Sequence, residues 1–228
     1  MNVLISQRHD MNKHGQWLDV LENDYVRFFE KFGIQLIPVS NIVDDVSTYF
    51  QFDVGGIVLS GGNNVGPSVY GEEKELSDVS AKRDSTESRL LEEGIKREFP
   101  ILGICRGMQF INAYFGGKIH DDINRLKPGV DHPPVVKHDI ELLESDLIKK
   151  IGKVQQVNSF HNQGVSVDDL SSRLKAFALG IDLPLVEGLY SPEYRLAAIQ
   201  WHPERDETLS KFDEILIQSF LNKTLFWK

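Results

Sequence analysis

The sequence predicts an α/β fold built on a mostly parallel sheet with helices on both faces. Three observations carry this. Short apolar, β-branched runs alternate with stretches of helical spacing through the first half of the chain. The runs are continuously apolar, as strands buried on both faces are. The linkers are short and no repeat or low-complexity tract interrupts them, so residues 1–228 read as one domain.

Residues 3–6 form the first expected strand, and 17–32 an amphipathic helix after it. A second strand is expected over 34–39, ended by Pro38 and Ser40-Asn41. Residues 53–60 are a buried-type strand running into Gly61-Gly62. Residues 85–98 place Leu90, Leu91 and Ile95 on one helical face against charges. Another buried strand covers 100–104, and a helix over 106–115 stops at Gly116-Gly117. Beyond residue 130 the strand candidates crowd together, at 135–142, 154–158, 175–179, 185–189 and 195–200. This predicts a small antiparallel section in the C-terminal half, before a last helix over 207–221.

The bulk numbers exclude several classes of function. A formal net charge of -9 argues against nucleic acid or an anionic membrane as the main partner. No apolar run is long enough to span a bilayer, and the start lacks the basic region of a signal peptide. With a single cysteine there is no intramolecular disulfide, which fits a reducing cytoplasm. Cys105 is then either a small buried hydrophobe or a working thiol.

Its setting favours the second. A buried strand meets a helix at Cys105 with no loop between them, and Gly103 and Gly107 flank the cysteine at minus two and plus two. Strand and helix cross there, so side chains at those two positions would collide. The helix N-terminus directs positive partial charge at the sulfur and favours the thiolate. The amide of Arg106 is placed to donate to an oxyanion.

A second segment supplies a base. An apolar strand over 195–200 delivers Trp201 and His202, and Glu204 follows two residues later. In extended chain, positions i and i+2 face the same way, and Pro203 stiffens the arrangement. A carboxylate beside an imidazole fixes its tautomer and stabilises its cation. His161 competes for the role of base, but no carboxylate shares its face; as the loser it becomes a pocket wall. The remaining histidines, at 9, 14, 120, 132 and 138, show no metal-ligand spacing, so no metal is expected.

At these residues the chain resembles the class I glutamine amidotransferases, and among them the stand-alone γ-glutamyl hydrolases of the γ-glutamyl-γ-aminobutyrate hydrolase, peptidase C26, type. The likeness spans Leu59-Ser60-Gly61-Gly62 with Gly66-Pro67-Ser68-Val69-Tyr70-Gly71, then Arg83-Asp84-Ser85-Thr86-Glu87, and the segment around Cys105. It continues through Asn158-Ser159-Phe160-His161-Asn162-Gln163 to Gln200-Trp201-His202-Pro203-Glu204. The resemblance implies a flavodoxin-like fold and a Cys105–His202–Glu204 triad. It implies an oxyanion hole from Gly61, Gly62 and the Arg106 amide, with Gln109, Ser159, Phe160 and His161 holding the glutamyl group. Asn64 is a departure, standing where many relatives carry Asp.

The implied reaction is hydrolysis of a γ-glutamyl amide through a Cys105 thioester, with a small-molecule substrate and no cofactor. The group leaving on nitrogen stays open: an amine or polyamine, a peptide, or a phosphate- or nucleotide-linked phosphoramidate of surface-polysaccharide synthesis. Arg8 and the neighbouring 7–10 segment follow the first strand and should border the pocket, as should Lys82 and Arg83. Arg8 is therefore a substrate-binding candidate that keeps the anionic option alive. Two rivals remain. A glutaminase subunit would deliver ammonia to a separate synthetase partner, and a non-catalytic binding protein would use the same fold. A homo-oligomer is compatible with the sequence, which does not decide whether Phe226-Trp227 is core, interface or tail. Residues 131–134 have the turn chemistry of a loop over the pocket.

Overall fold

A computed structural model describes residues 1–126 and 136–228. In chain order the elements are β1 (Asn2–Ile5), β2 (Arg8–Met11), β3 (Trp17–Val20), α1 (Asn23–Glu30), β4 (Gln35–Pro38) and β5 (Val54–Leu59). Then come α2 (Ala81–Lys96), β6 (Ile101–Ile104), α3 (Arg106–Tyr114), β7 (Val136–Leu142), α4 (Ser145–Ile151) and β8 (Val154–Ser159). The last are β9 (Val165–Ser166), β10 (Lys175–Gly180), β11 (Leu185–Tyr190), β12 (Leu196–Ile199) and α5 (Lys211–Leu221).

A ten-stranded sheet is ordered β4-β1-β5-β6-β12-β11-β10-β7-β8, with β9 on β11. From β4 to β12 every pairing is parallel. From β12 to β8 every pairing is antiparallel. This is the expected parallel sheet with its antiparallel C-terminal section. Side chains alternate across it. Val3 and Ile5 join Tyr25, Phe28 and Phe29 of α1 and Phe212, Leu216 and Phe220 of α5. Leu4, between them, joins Leu90 and Leu91 of α2 and Met108 and Ile111 of α3. Pro38 sits in the edge strand β4, where its missing N–H costs no ladder bond.

The expected helix over 17–32 is corrected. Residues 17–20 pair with Arg8–Met11 as a hairpin, and helix begins only at Asn23. Local hydrogen bonding explains the difference. Asn12 Oδ1 accepts the amides of His14 and Gln16, and Gly15 closes the turn at φ +77°. Asp19 then ties the hairpin to Ser40 and Asn41 at 2.6 and 2.7 Å. Helix α2 starts at Ala81, ahead of the expected 85, because Ser80 caps it by accepting the Arg83 amide. Helix α5 starts at Lys211 behind the Ser210 cap, later than the expected 207.

Phe226 and Trp227 are core. Phe226 stacks between Phe177 and Tyr190, and the buried Trp227 indole donates to the Ile101 carbonyl at 2.8 Å. Residues 131–134 lie outside the described residues. Among the described residues, no helix is long and apolar enough to cross a membrane.

Candidate active site

Cys105 occupies the corner between β6 and α3 at φ 53°, ψ -105°, a region that side-chain-bearing residues rarely adopt. Its amide donates to the Ile199 carbonyl at 2.8 Å, and its carbonyl accepts the amides of Met108 and Gln109. The glycines on either side are sterically required. A Cβ on Gly107 would lie 2.1 Å from the Leu59 carbonyl oxygen, and one on Gly103 would lie 2.9 Å from the Gly107 backbone. Gly107→Ala should therefore destabilise the fold by about 3 kcal/mol, because the obstructing atoms are backbone and cannot step aside. Denaturant unfolding measures this; an unchanged midpoint would refute the packing account. The thiol is largely covered, 6% exposed, and sits where β1, β5, β6 and β12 end.

His202 follows the end of β12 and turns its ring toward Cys105. Its Nδ1 meets Glu204 Oε1 at 2.5 Å, which leaves Nε2 for the sulfur. Burial alone would push the imidazole down. The charges of Cys105 and Glu204, with hydrogen bonds to both, outweigh it and lift His202 to about 10. The backbone of His202 is clamped by Asn158, which donates to its carbonyl at 2.7 Å and accepts its amide at 2.9 Å. Trp201, one residue before, is anchored to α5 by its indole N–H on Asp213 at 2.9 Å. The predicted Cys105, His202 and Glu204 are thus brought together, and Asn158 joins them without having been assigned a role from sequence.

The Ser60-Gly61-Gly62 turn lies against this pair. A Cβ on Gly61 would be 2.8 Å from His202 Cε1 and 3.7 Å from Cys105 Cβ, so glycine is needed for the approach. The expectation that both glycines donate to an oxyanion is corrected for Gly61. Its N–H is held by the buried Tyr25 hydroxyl at 2.8 Å. Burial first, and then the charges of Glu204 and Glu22, push Tyr25 well above the usual phenol range, so it stays neutral. The Gly62 amide has no acceptor among the described residues, and the Arg106 amide, first in its helix, has no intrahelical one. The Arg106 amide follows Cys105 directly, and the turn that carries the Gly62 amide approaches Cys105 at Gly61.

The expectation that Arg83 borders the pocket is also corrected. Its side chain is fully buried beneath the turn, donating to the Ser60 and Gly61 carbonyls, while Lys82 is exposed. The Arg106 side chain is likewise interior, ion-paired with both Asp84 and Glu87. Four fully or nearly buried charges therefore cancel one another, which is the condition for keeping them in a low-dielectric interior.

Gln109 stands one helical turn beyond Cys105, with its Nε2 on the Gln163 carbonyl at 3.0 Å and the Gln200 side chain at 3.2 Å. Ser159 is buried at the end of β8. Phe160 meets the His202 ring edge-on at 5.7 Å and carries the Arg205 guanidinium over its face. His161 is buried with Nδ1 2.7 Å from the Gln163 carbonyl, whereas the carboxylate partner is on His202. Arg8 packs its stem over Gly62 and pairs with Asp10 at 3.2 Å and Glu22 at 3.5 Å. Asn64 is taken up by the backbone of the following loop, donating to the Ser77 carbonyl.

Fold and site together define a class I glutamine amidotransferase-like protein. The peptidase C26 family profile matches residues 2–204, and the chain belongs to that family. The glutamine amidotransferase-like protein YvdE of Lactococcus lactis subsp. lactis is 31% identical over 88% of this chain and 87% of its own. The γ-glutamyl-γ-aminobutyrate hydrolase PuuD of Escherichia coli K12 is 30% identical over 73% of this chain and 70% of its own. In fold, the chain is similar to a glutamine amidotransferase of Thermotoga maritima, with TM-score 0.61 at 18% identity over 89% of this chain and 76% of that one. The protein is a glutamine amidotransferase-like amidohydrolase of the C26 family.

Proposed function

We propose that the chain hydrolyses γ-glutamyl amides through a thioester on Cys105. The observation that carries this reading is the imidazole of His202, gripped by Glu204 at 2.5 Å and facing the thiol at a strained strand-to-helix corner. An imidazolium beside a thiol favours the thiolate, and a carboxylate behind it fixes which nitrogen carries the acting proton. In the first half-reaction Cys105 Sγ bonds to the γ-carbonyl carbon, and charge moves onto oxygen between the Gly62 and Arg106 amides. The C–N bond then breaks as His202 Nε2–H protonates the departing nitrogen. In the second half, His202 takes a proton from water as the water oxygen bonds to the acyl carbon, the C–S bond then breaks to return the Cys105 thiolate, and glutamate leaves. No step draws on a cofactor. Gln109, Ser159, Phe160 and His161 form the wall on which the glutamyl group is bound.

The leaving group we assign is an amine. What supports this is the setting of Arg8, the cation over Gly62, whose two terminal guanidinium nitrogens are already paired with Asp10 and Glu22. The single cysteine fits action in a reducing cytoplasm. A screen of γ-glutamyl compounds scored by glutamate release tests the assignment. γ-Glutamyl amines should be cleaved with a higher kcat/KM than phosphate-bearing γ-glutamyl phosphoramidates. A preference for the phosphate-bearing set would sink the amine assignment, and release from neither would sink the hydrolase reading.

A further inference from the structure

The Ser60-Gly61-Gly62 turn is held by two buried groups to which the chemistry above gives no part. Arg83 Nη2 donates to the carbonyls of Ser60 and Gly61, both at 2.8 Å, and Arg83 Nη1 reaches Asn63 Oδ1 at 3.3 Å. From the opposite side the Tyr25 hydroxyl holds the Gly61 N–H at 2.8 Å. The peptide between 60 and 61 is therefore fastened at both edges. A trans peptide carries its C=O and N–H on opposite sides of one plane. With the Gly61 oxygen fixed on Arg83, the Gly62 N–H on that same peptide must face away from Arg83.

This orientation is not secured by the glycines themselves. Gly62 stands at φ +121°, and two adjacent glycines let a peptide rotate with little steric resistance. The competing state turns the Gly61 carbonyl toward Cys105 and sets a negative dipole where the oxyanion forms. We propose that Arg83 and Tyr25 are positioning residues, Arg83 holding the 61–62 peptide with its N–H toward the oxyanion and Tyr25 holding the 60–61 peptide before it, so that the hole is preformed without a partner protein. The proposal rests on the hydrolase reading above.

The lock reaches the second donor as well. Arg83 Nε binds Glu87 Oε1 at 2.9 Å, and the other oxygen of Glu87 binds Arg106, whose backbone amide is that donor. Arg106 Nε returns to the Asn63 carbonyl at 3.2 Å, one residue past Gly62. Both oxyanion donors thus hang from one buried network spanning β5, α2 and α3.

Arg83→Lys tests the lock. A single ammonium keeps the buried charge but cannot span Ser60, Gly61, Asn63 and Glu87 at once. With γ-glutamyl-p-nitroanilide, kcat should fall on the order of 10²-fold, the usual loss when one oxyanion donor is removed, while KM is nearly unchanged. Alkylation of Cys105 by iodoacetamide should keep its wild-type rate, because that reaction builds no oxyanion. A role confined to structural support would instead slow alkylation together with turnover, and that result overturns the proposal. Tyr25→Phe keeps the buried ring and serves if the lysine variant does not fold; its kcat should fall roughly tenfold, with KM again steady. Crystal structures of the variants give an answer independent of activity. The 61–62 peptide should be rotated or split between two orientations, and an unmoved peptide overturns the lock. Should the wild-type enzyme cleave no γ-glutamyl amide, the hydrolase reading falls, and the crystallographic comparison still decides the lock.

Discussion

Replacing Cys105 by alanine should abolish glutamate release, lowering turnover by at least about 10⁴-fold while substrate binding survives. The magnitude follows from what the thiol supplies. In the proposed route it is the atom that bonds to the acyl carbon. Alanine tolerates the site. The strain at φ 53° belongs to any residue with a Cβ, so cysteine and alanine carry it alike. Removing one sulfur from a residue 6% exposed leaves a small void, and the fold should melt within a few degrees of wild type. Mass spectrometry of wild type quenched during turnover should show a glutamyl adduct on the peptide carrying Cys105, absent from the variant. If the alanine variant kept a tenth of wild-type turnover, the thioester route would be excluded.

The sequence made this corner readable because its signature is compact in sequence. Gly103 and Gly107 stand two residues from Cys105 at a strand-to-helix junction, even though Leu59 and Ala198, which they avoid, lie on the strands to either side. Glu204 is legible for the same reason, being two residues from His202 in extended chain. The parts that escaped notice act across long separations. Tyr25 reaches Gly61 over 36 residues, Arg83 reaches Gly61 over 22, and Asn158 reaches His202 over 44. Nothing in a linear pattern says that the hydroxyl of a core-facing tyrosine on α1 will receive a glycine amide. Arg83, expected at the pocket rim, gives no sign of being interior until Glu87, Asp84 and Arg106 are seen to be buried with it. The hairpin at residues 8–20 was missed for a related reason. Apolar residues at 17, 18, 20 and 21 suit a helix, but Asn12 and Asp19 satisfy the extended alternative through the turn and through Ser40 and Asn41.

Glu204→Gln should lower kcat/KM by roughly 10³–10⁴-fold and move the alkaline limb of the pH–rate profile toward neutrality. The direction follows from what opposes what at His202. Burial favours the neutral imidazole; the charges of Cys105 and Glu204 favour the cation and prevail, holding the proton until about pH 10. The wild-type enzyme therefore keeps its proton donor throughout the neutral range and loses it as the pH rises through that value. Glutamine fills the same volume beside Nδ1 but carries no charge, so burial meets only one counterweight. The imidazole should then give up its proton by about one pH unit or more sooner. A neutral amide can also offer its NH₂ to Nδ1 and favour the tautomer with the proton on the wrong nitrogen, which adds to the loss in rate. The pH dependence of iodoacetamide alkylation separates these effects, since it reads the thiolate–imidazolium pair without proton transfer to a leaving group. Alkylation needs no proton donor, so it should show no matching loss at alkaline pH, and a limb that moves in turnover but is absent from alkylation reports the proton on His202. An alkaline limb left where it stands in wild type would show that the Glu204 charge does not act on His202, and the triad would reduce to a pair.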